Sequence, residues 1–359
     1  MTELLDNGQP PVPVPDTLAW ALDPAWLTAA LGRRFPGLKV DAVEPGPVVS
    51  RVSTNARFRV EIEGGTPEGL SEHLCVKGYF SDCSESGAAS SAAGIPEALF
   101  YRDFAATSGV RTLDPFYADV DFKTMHGVVI TQDVVIGGAT FIDALSPYSP
   151  DQVAQSLEQL AVLHGRSWHA ADRLAKTWLR PQLEVALRSR DLDDIRSNLE
   201  TENSDGVPEP IRDAKRLLAA FHRLSVHVSE GEDHRCLIHG DAHVNNLYLN
   251  GSGQPCLLDW QLVQHAPWYL DVGYHIACTL NTDERRANEA DLLSHYLDRL
   301  RGEGVELPPE VERCFALGVV YGFFLWAITI RVGLPIRTVM LQRLGTALSD
   351  CDAYRYLEA

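Results

Sequence analysis

Residues 239–246 read HGDAHVNN, and DWQ follows at 259–261. Apolar CLI leads into the first segment, LYL leads out of it, and CLL precedes Asp259. So many polar groups between segments that read as buried strands call for a chemical reason. NGSGQP, residues 250–255, reads as a hairpin turn that joins the flanking strands and brings Asp241 and Asp259 to one end of a small sheet. Two close carboxylates repel unless a cation lies between them. Asn246 adds a neutral oxygen, and such an oxygen set suits Mg²⁺, which usually also binds substrate phosphates. A carboxylate left off the metal could accept a proton. The same segment carries a second reading. His239, Asp241 and His243 form H-x-D-x-H, and imidazole with carboxylate suits zinc and a metallohydrolase. A solvated loop is the third.

The elements that must position these residues change character along the chain. Residues 23–35 read as a helix capped by Asp23, with Pro24 in its first turn. Short β-rich runs follow at 48–54, 56–63 and 73–80, and the alternation in RFRVEIE suits a half-exposed antiparallel strand. Residues 81–94 are small and polar, a loop. Residues 95–109 read as a helix ended by Gly109, and two more β-like runs lie at 115–122 and 127–135. From Ser149, a cap candidate before Pro150, the chain is mainly helical. The plan is a flexible Pro-rich arm over 1–20, a β-rich N-terminal lobe over 21–135 and a larger helical lobe over 136–359. Residues 314–330 carry no charge and approach the length of a membrane span. Their amphipathic flanks favour a helix buried in the core of the large lobe.

The formal net charge of -18 makes nucleic acid and anionic membrane poor partners. The seven cysteines show no CxxC pair and read as reduced thiols of a cytoplasmic protein. The N-terminus has no basic region followed by an apolar one, so it does not read as a signal peptide. A small-molecule partner and a monomer or homodimer are expected.

The spacing H-G-D-x-x-x-x-N followed by D-W-Q resembles the aminoglycoside phosphotransferase and choline kinase superfamily, most of all its ecdysteroid-kinase-like branch. The likeness runs over about residues 40 to 335. It implies an α+β, bilobal protein-kinase-like fold and transfer of the γ-phosphoryl group of ATP to a small-molecule hydroxyl. Asp241 would accept the hydroxyl proton, and Asn246 and Asp259 would hold Mg²⁺. The resemblance also requires a strand lysine and a helix glutamate. HLCVKGYF supplies Lys77 and IPEALFYRDF supplies Glu97. LAVLHGRSW, with His164 and Trp168, and WYLDVGYHIA, with Asp271 as a buttress of the catalytic loop, resemble further family segments. His239 becomes structural and His243 faces the acceptor. EPGPVVSRVSTNARF lacks the G-x-G-x-x-G of a phosphate-covering loop, which leaves Ser53, Thr54 and Asn55 as phosphate contacts. Gln132 and Val134 stand at the adenine hinge, and Thr131–Gln132 lies where relatives often carry an acidic residue, so ATP versus GTP stays open. The branch points to a sterol-like or other lipophilic alcohol ahead of an aminoglycoside or amino alcohol. A catalytically silent nucleotide-binding pseudokinase is the alternative within the fold. Lys77 and Glu97 count against the zinc hydrolase, which needs neither.

Overall fold

The computed structural model describes residues 12–83, 91–168, 170, 174, 176–231, 234–307 and 309–358. The chain divides into two compact units, Met1–Thr107 with Thr112–Gly138 and Ser108–Arg111 with Ala139–Ala359.

In the first unit, α1 (Leu18–Ala21) and α2 (Pro24–Leu31) precede a five-stranded antiparallel sheet. Its order is β1-β2-β3-β5-β4, with β1 Val40–Ser50, β2 Thr54–Ile62, β3 His73–Gly78, β4 Pro115–Asp121 and β5 His126–Gln132. Asp23 accepts from the Ala25 and Trp26 amides and so caps α2. The period of two then sorts the side chains. Phe58 and Val60, Leu74 and Val76, and Val128 and Ile130 form one buried face with Trp26, Leu27 and Leu31 of α2. Alternation sends Cys75 and Lys77 to the opposite face, where α3 (Ile95–Asp103) starts. Gly127 makes that approach possible. A Cβ there would sit 2.8 Å from the Gly94 carbonyl oxygen and 3.1 Å from the Ala98 Cβ.

Two expectations change here. Residues 1–11 of the expected arm lie outside the described residues, but Val12 and Val14 are buried in the core and Pro13 accepts from the Trp26 indole at 2.7 Å, so 12–20 are not free chain. The first strand begins at Val40, well before the β-rich run at 48–54. Residues 84–90 of the expected loop lie outside the described residues. The short α4 (Ala105–Ser108) follows α3, and Gly109 takes a positive φ of 77° after it.

The second unit is mainly helical: α5 Pro150–Ser167, α6 Leu183–Arg188, α7 Leu192–Leu199, α8 Ala214–Glu230, α9 Tyr269–Thr279, α10 Thr282–Gly302, α11 Val311–Ala327 and α12 Leu334–Asp350. Ser149 and Gln152 close a capping box at the start of α5. Five short strands among its described residues complete it: β6 Thr140–Phe141, β7 Arg235–Ile238, β8 Leu247–Leu249, β9 Pro255–Leu257 and β10 Gln264–Pro267. NGSGQP joins β8 to β9 as the sequence suggests. β7, which leads into HGDAHVNN, pairs instead with β10, a strand the sequence pattern did not reveal.

α11 holds most of the uncharged segment, from Cys314 to Ala327. It is buried from Cys314 to Phe324, and among the described residues no helix is long and apolar enough to cross a membrane. It crosses α9 at very close range. A Cβ on Gly318 would lie 2.0 Å from the Tyr269 carbonyl oxygen, and one on Gly273 would lie 2.3 Å from that of Phe315.

Candidate catalytic loop and phosphate-binding residues

The loop after β7 hangs from one carboxylate. Asp271, on the first turn of α9 and 0% exposed, accepts from the His239 amide at 2.7 Å through Oδ2 and from the Gly240 amide at 2.8 Å through Oδ1. His164 Nε2, from the last turn of α5, lies 3.2 Å from Oδ2. Tyr296 satisfies the other His164 nitrogen at 2.7 Å. A buried carboxylate with its acceptor sites filled in this way is a rigid anchor. Gly240 has φ 80°, and a Cβ there would meet the Leu262 carbonyl oxygen at 2.0 Å, so only glycine fits between His239 and Asp241.

His239 is an internal strut. Its Nε2 donates to the Leu258 carbonyl oxygen at 2.9 Å and its Nδ1 accepts from the Asp241 amide at 3.2 Å. Burial lowers its pKa against the pull of Asp271 and Asp241, which keeps it neutral. Both ring nitrogens are therefore engaged, and the H-x-D-x-H reading loses its first ligand. No group of three His, Cys, Asp or Glu among the described residues could hold a metal ion.

The Asp241 side chain is 26% exposed. Asn246 Nδ2 donates to its backbone oxygen at 2.9 Å and to its Oδ2 at 3.1 Å. His243 Nε2 lies 3.4 Å from the same Oδ2, while His243 Nδ1 accepts from the Asn245 amide. Tyr274, on α9, donates its hydroxyl to Oδ1 at 3.2 Å. Burial alone would raise the Asp241 pKa; His243, His239 and Tyr274 outweigh it and hold the carboxyl below its ordinary value. Asp241 is thus a carboxylate near neutral pH.

The hairpin sets Asn246 beside Leu258, the residue before Asp259. The Leu258 amide donates to the Asn246 carbonyl oxygen at 3.0 Å, and β8 pairs with β9 just beyond. Asp259 follows Leu258 with φ 65° and ψ 66°, a left-handed conformation that aspartate tolerates better than most residues. With the Asn246 amide nitrogen committed to Asp241, its Oδ1 is the atom left for a cation. A carboxylate and an amide oxygen form a hard donor set that fits Mg²⁺.

In the first unit, Lys77 Nζ lies 2.7 Å from Glu97 Oε2, with side chains only 17% and 4% exposed. β3 supplies the lysine and the first turn of α3 the glutamate. Asn55 is the cross-strand neighbour of Lys77, and Ser53 lies in the turn before β2. Thr54 is 1% exposed and its hydroxyl pairs with that of Ser50 at 3.0 Å, so it serves the turn from within and is withdrawn as a phosphate contact. Gln132 is exposed at the end of β5, and its amide already donates to the Asp114 carbonyl oxygen at 3.4 Å. The Val134 carbonyl accepts from Gly137. The acidic residue of this segment is Asp133, buried and paired with Arg57 at 2.7 Å.

Four contributors escaped the sequence reading. Tyr274 touches Asp241. His275, also on α9, donates through Nδ1 to the Ala242 carbonyl oxygen at 2.7 Å and meets the Ser156 hydroxyl at 2.6 Å. From α11, Tyr321 donates to the Gly240 carbonyl oxygen at 2.6 Å. Trp326 Nε1 donates to the Tyr274 hydroxyl at 2.6 Å, and its ring stands edge-on to His243 at 5.3 Å. The one available signal was position: Tyr274 and His275 follow Asp271 on one helix. Nothing in an uncharged apolar run marked Tyr321 or Trp326. Trp260 and Trp268 are fully buried core.

A family model described as the ecdysteroid kinase-like family matches residues 100–306. No curated protein matches the chain in sequence. Among solved structures, a protein assigned as an aminoglycoside phosphotransferase from Ralstonia eutropha JMP134 matches with a TM-score of 0.53 at 14% identity, over 93% of this chain and 96% of that one. An amicoumacin kinase solved with AMP-PNP and Ca²⁺ matches with a TM-score of 0.49 at 12% identity, over 86% and 88%. A protein assigned as a fructosamine-3-kinase from Thermobifida fusca matches with a TM-score of 0.46 at 15% identity, over 90% and 98%. The fold is α+β and protein-kinase-like, on the first of these likenesses.

Proposed function

The chain belongs to the ecdysteroid kinase-like family, and on that premise we propose that it moves the γ-phosphoryl group of ATP to a hydroxyl of a small molecule. The observation that carries this reading is the Asp241 carboxylate, fixed by Asn246 and Tyr274 on a loop anchored by Asp271. The near-buried Lys77–Glu97 pair supports it from the other unit.

In this reading the acceptor oxygen bonds to the γ-phosphorus as the bond from that phosphorus to the ADP oxygen breaks. The hydroxyl proton passes to Asp241, a role worth about 10²–10⁴-fold. Asn246 and Asp259 hold Mg²⁺, which neutralises charge on the phosphates. Lys77, oriented by Glu97, binds the α- and β-phosphates. Ser53 and Asn55 flank them, and Gln132 and Val134 stand at the adenine hinge, where backbone groups other than the Gln132 amide and the Val134 carbonyl face the base. Positioning and electrostatics supply most of the catalysis. The family is named for a steroid kinase, which supports a sterol-like or other lipophilic alcohol as acceptor ahead of aminoglycosides and amino alcohols.

Incubation with Mg·ATP, or Mg·GTP for comparison, and a metabolite extract, followed by mass spectrometry, tests the reaction. A phosphoester formed by the native protein and absent with Asp241→Asn names the acceptor. Asp241→Asn should keep Mg·ATP binding while turnover falls by about 10²-fold or more. Asp259→Asn should weaken Mg·ATP binding itself. Wild-type turnover in both variants would falsify the assignment. Tight Mg·ATP binding without transfer to any acceptor would favour a silent regulator.

A further inference from the structure

Tyr274 and Trp326 form a short relay that ends on Asp241. The Trp326 indole nitrogen lies 2.6 Å from the Tyr274 hydroxyl, which lies 3.2 Å from Asp241 Oδ1. Tyr274 and Trp326 are 0% and 2% exposed, so water does not compete for these bonds. The direction of the relay is fixed by chemistry. An indole N–H only donates, so the Tyr274 oxygen accepts from Trp326 and its single proton goes to Asp241. The backbone makes room for the ring: a Cβ on Gly322 would lie 2.3 Å from Tyr274 Cδ2.

The two oxygens of Asp241 then differ. Oδ2 faces two donors, Asn246 Nδ2 at 3.1 Å and His243 Nε2 at 3.4 Å. Oδ1 has the Tyr274 hydroxyl. A carboxylate oxygen offers two lone pairs, so Oδ1 keeps one for a further donor. Without Tyr274, the carboxylate plane would turn away from the position that now points one oxygen at the open side, because the last side-chain torsion is broad.

We propose that Tyr274, aimed by Trp326, is a positioning residue that locks the plane of the Asp241 carboxylate, so that the oxygen Tyr274 bonds is the one presented to the acceptor hydroxyl. The proposal rests on the kinase reading and deepens it. Phenylalanine fills the space of the tyrosine ring and removes only its hydroxyl, so packing and positioning separate at Tyr274.

Two measurements on the full-length protein decide it. The first is the crystallographic orientation of Asp241 in the native protein and in Tyr274→Phe. One orientation in the native protein and a rotated or split carboxylate in the variant is the expected result; a carboxylate that stays in place overturns the proposal, with or without enzyme turnover. The second is steady-state transfer from Mg·ATP to the acceptor found above, or to water if none is found. Tyr274→Phe should lower kcat by about 10–10²-fold, in line with the cost of misplacing a catalytic group, with the KM for Mg·ATP changed less than about twofold. Trp326→Phe should lower kcat less, and the double variant should be no slower than Tyr274→Phe, because the two bonds act in series. Native kcat in Tyr274→Phe, or a loss that appears only as a raised KM and a lower melting temperature, overturns positioning. A native protein without any transfer, combined with a rotated Asp241 in the variant, leaves the lock standing and removes the kinase reading.

Discussion

Asp241 and Asp271 share a loop's environment but not a role. Asp271 is sealed, with two backbone amides and His164 on its oxygens, whereas Asp241 keeps a quarter of its side chain open. Each carboxylate has three donors on its oxygens, so solvent access separates them: the sealed one holds structure, and the one open to solvent can take a proton. His275 shows the same logic for a base. It is fully buried between Ala242 and Ser156, and burial pushes its pKa down to about 4 from 6.5. The unfolded chain therefore binds a proton that the folded chain refuses. The neutral imidazole's contribution is fully present above pH 6.5 and is lost as the pH falls towards 4, by roughly 3 kcal/mol in all. Urea unfolding of the native protein and His275→Gln across pH 4–7 checks this. The native stability should fall over that window, and the variant should show a flatter acid limb from a lower plateau. Equal acid limbs would place the lost stability on other groups.

At the scale of elements, α11 matters more than its composition suggests. Its apolar surface fills the second unit, and its few polar tips, Tyr321 and Trp326, end on Gly240 and Tyr274. Gly273 and Gly318 let α9 and α11 close to backbone contact, which brings those tips within hydrogen-bond reach. A methyl group at that crossing has nowhere to go, since its nearest neighbours are backbone atoms. Gly318→Ala should cost about 1–3 kcal/mol and should lower turnover beyond what the loss of folded protein explains. Thermal unfolding paired with activity per folded molecule reads both effects. An unchanged melting temperature would mean that the helices separate freely. In the first unit, the Gly94 and Gly127 contact plays the matching part, since it lets α3 start close enough to β5 for Glu97 to reach Lys77.

For the whole molecule, ligand linkage gives the broadest test. A ligand that binds only the folded state stabilises it by about 2.7 kcal/mol at a hundredfold excess over its Kd. Mg·ATP should therefore raise the melting temperature by several degrees, and ATP with a chelator should raise it less, because Asn246 and Asp259 then lose their cation. Calorimetry with and without Mg²⁺ checks this. A shift independent of Mg²⁺ would remove Asn246 and Asp259 as its ligands. The net charge of -18 acts at the same scale. It opposes approach of polyanions, so the phosphates of a nucleotide need local cations such as Lys77 and a bound metal to offset that field.

The sequence by itself determined the parts that rest on short-range rules. The β-rich run HLCVKGYF put Lys77 on a strand, Asp23 and Ser149 capped their helices, and HGDAHVNN with DWQ marked the polar loop and its hairpin. Those patterns are local, so one chain segment carries them. Tertiary structure alone decided the rest. The pairing of β7 with β10, the engagement of both His239 nitrogens, the withdrawal of Thr54 and the relay from Trp326 through Tyr274 all join residues that are distant in sequence or turned by their neighbours. Tyr321 and Trp326 read as core because burial is what their run of apolar neighbours dictates, and they are core. Their polar atoms acquire a function only from what lies opposite once two helices meet at glycine.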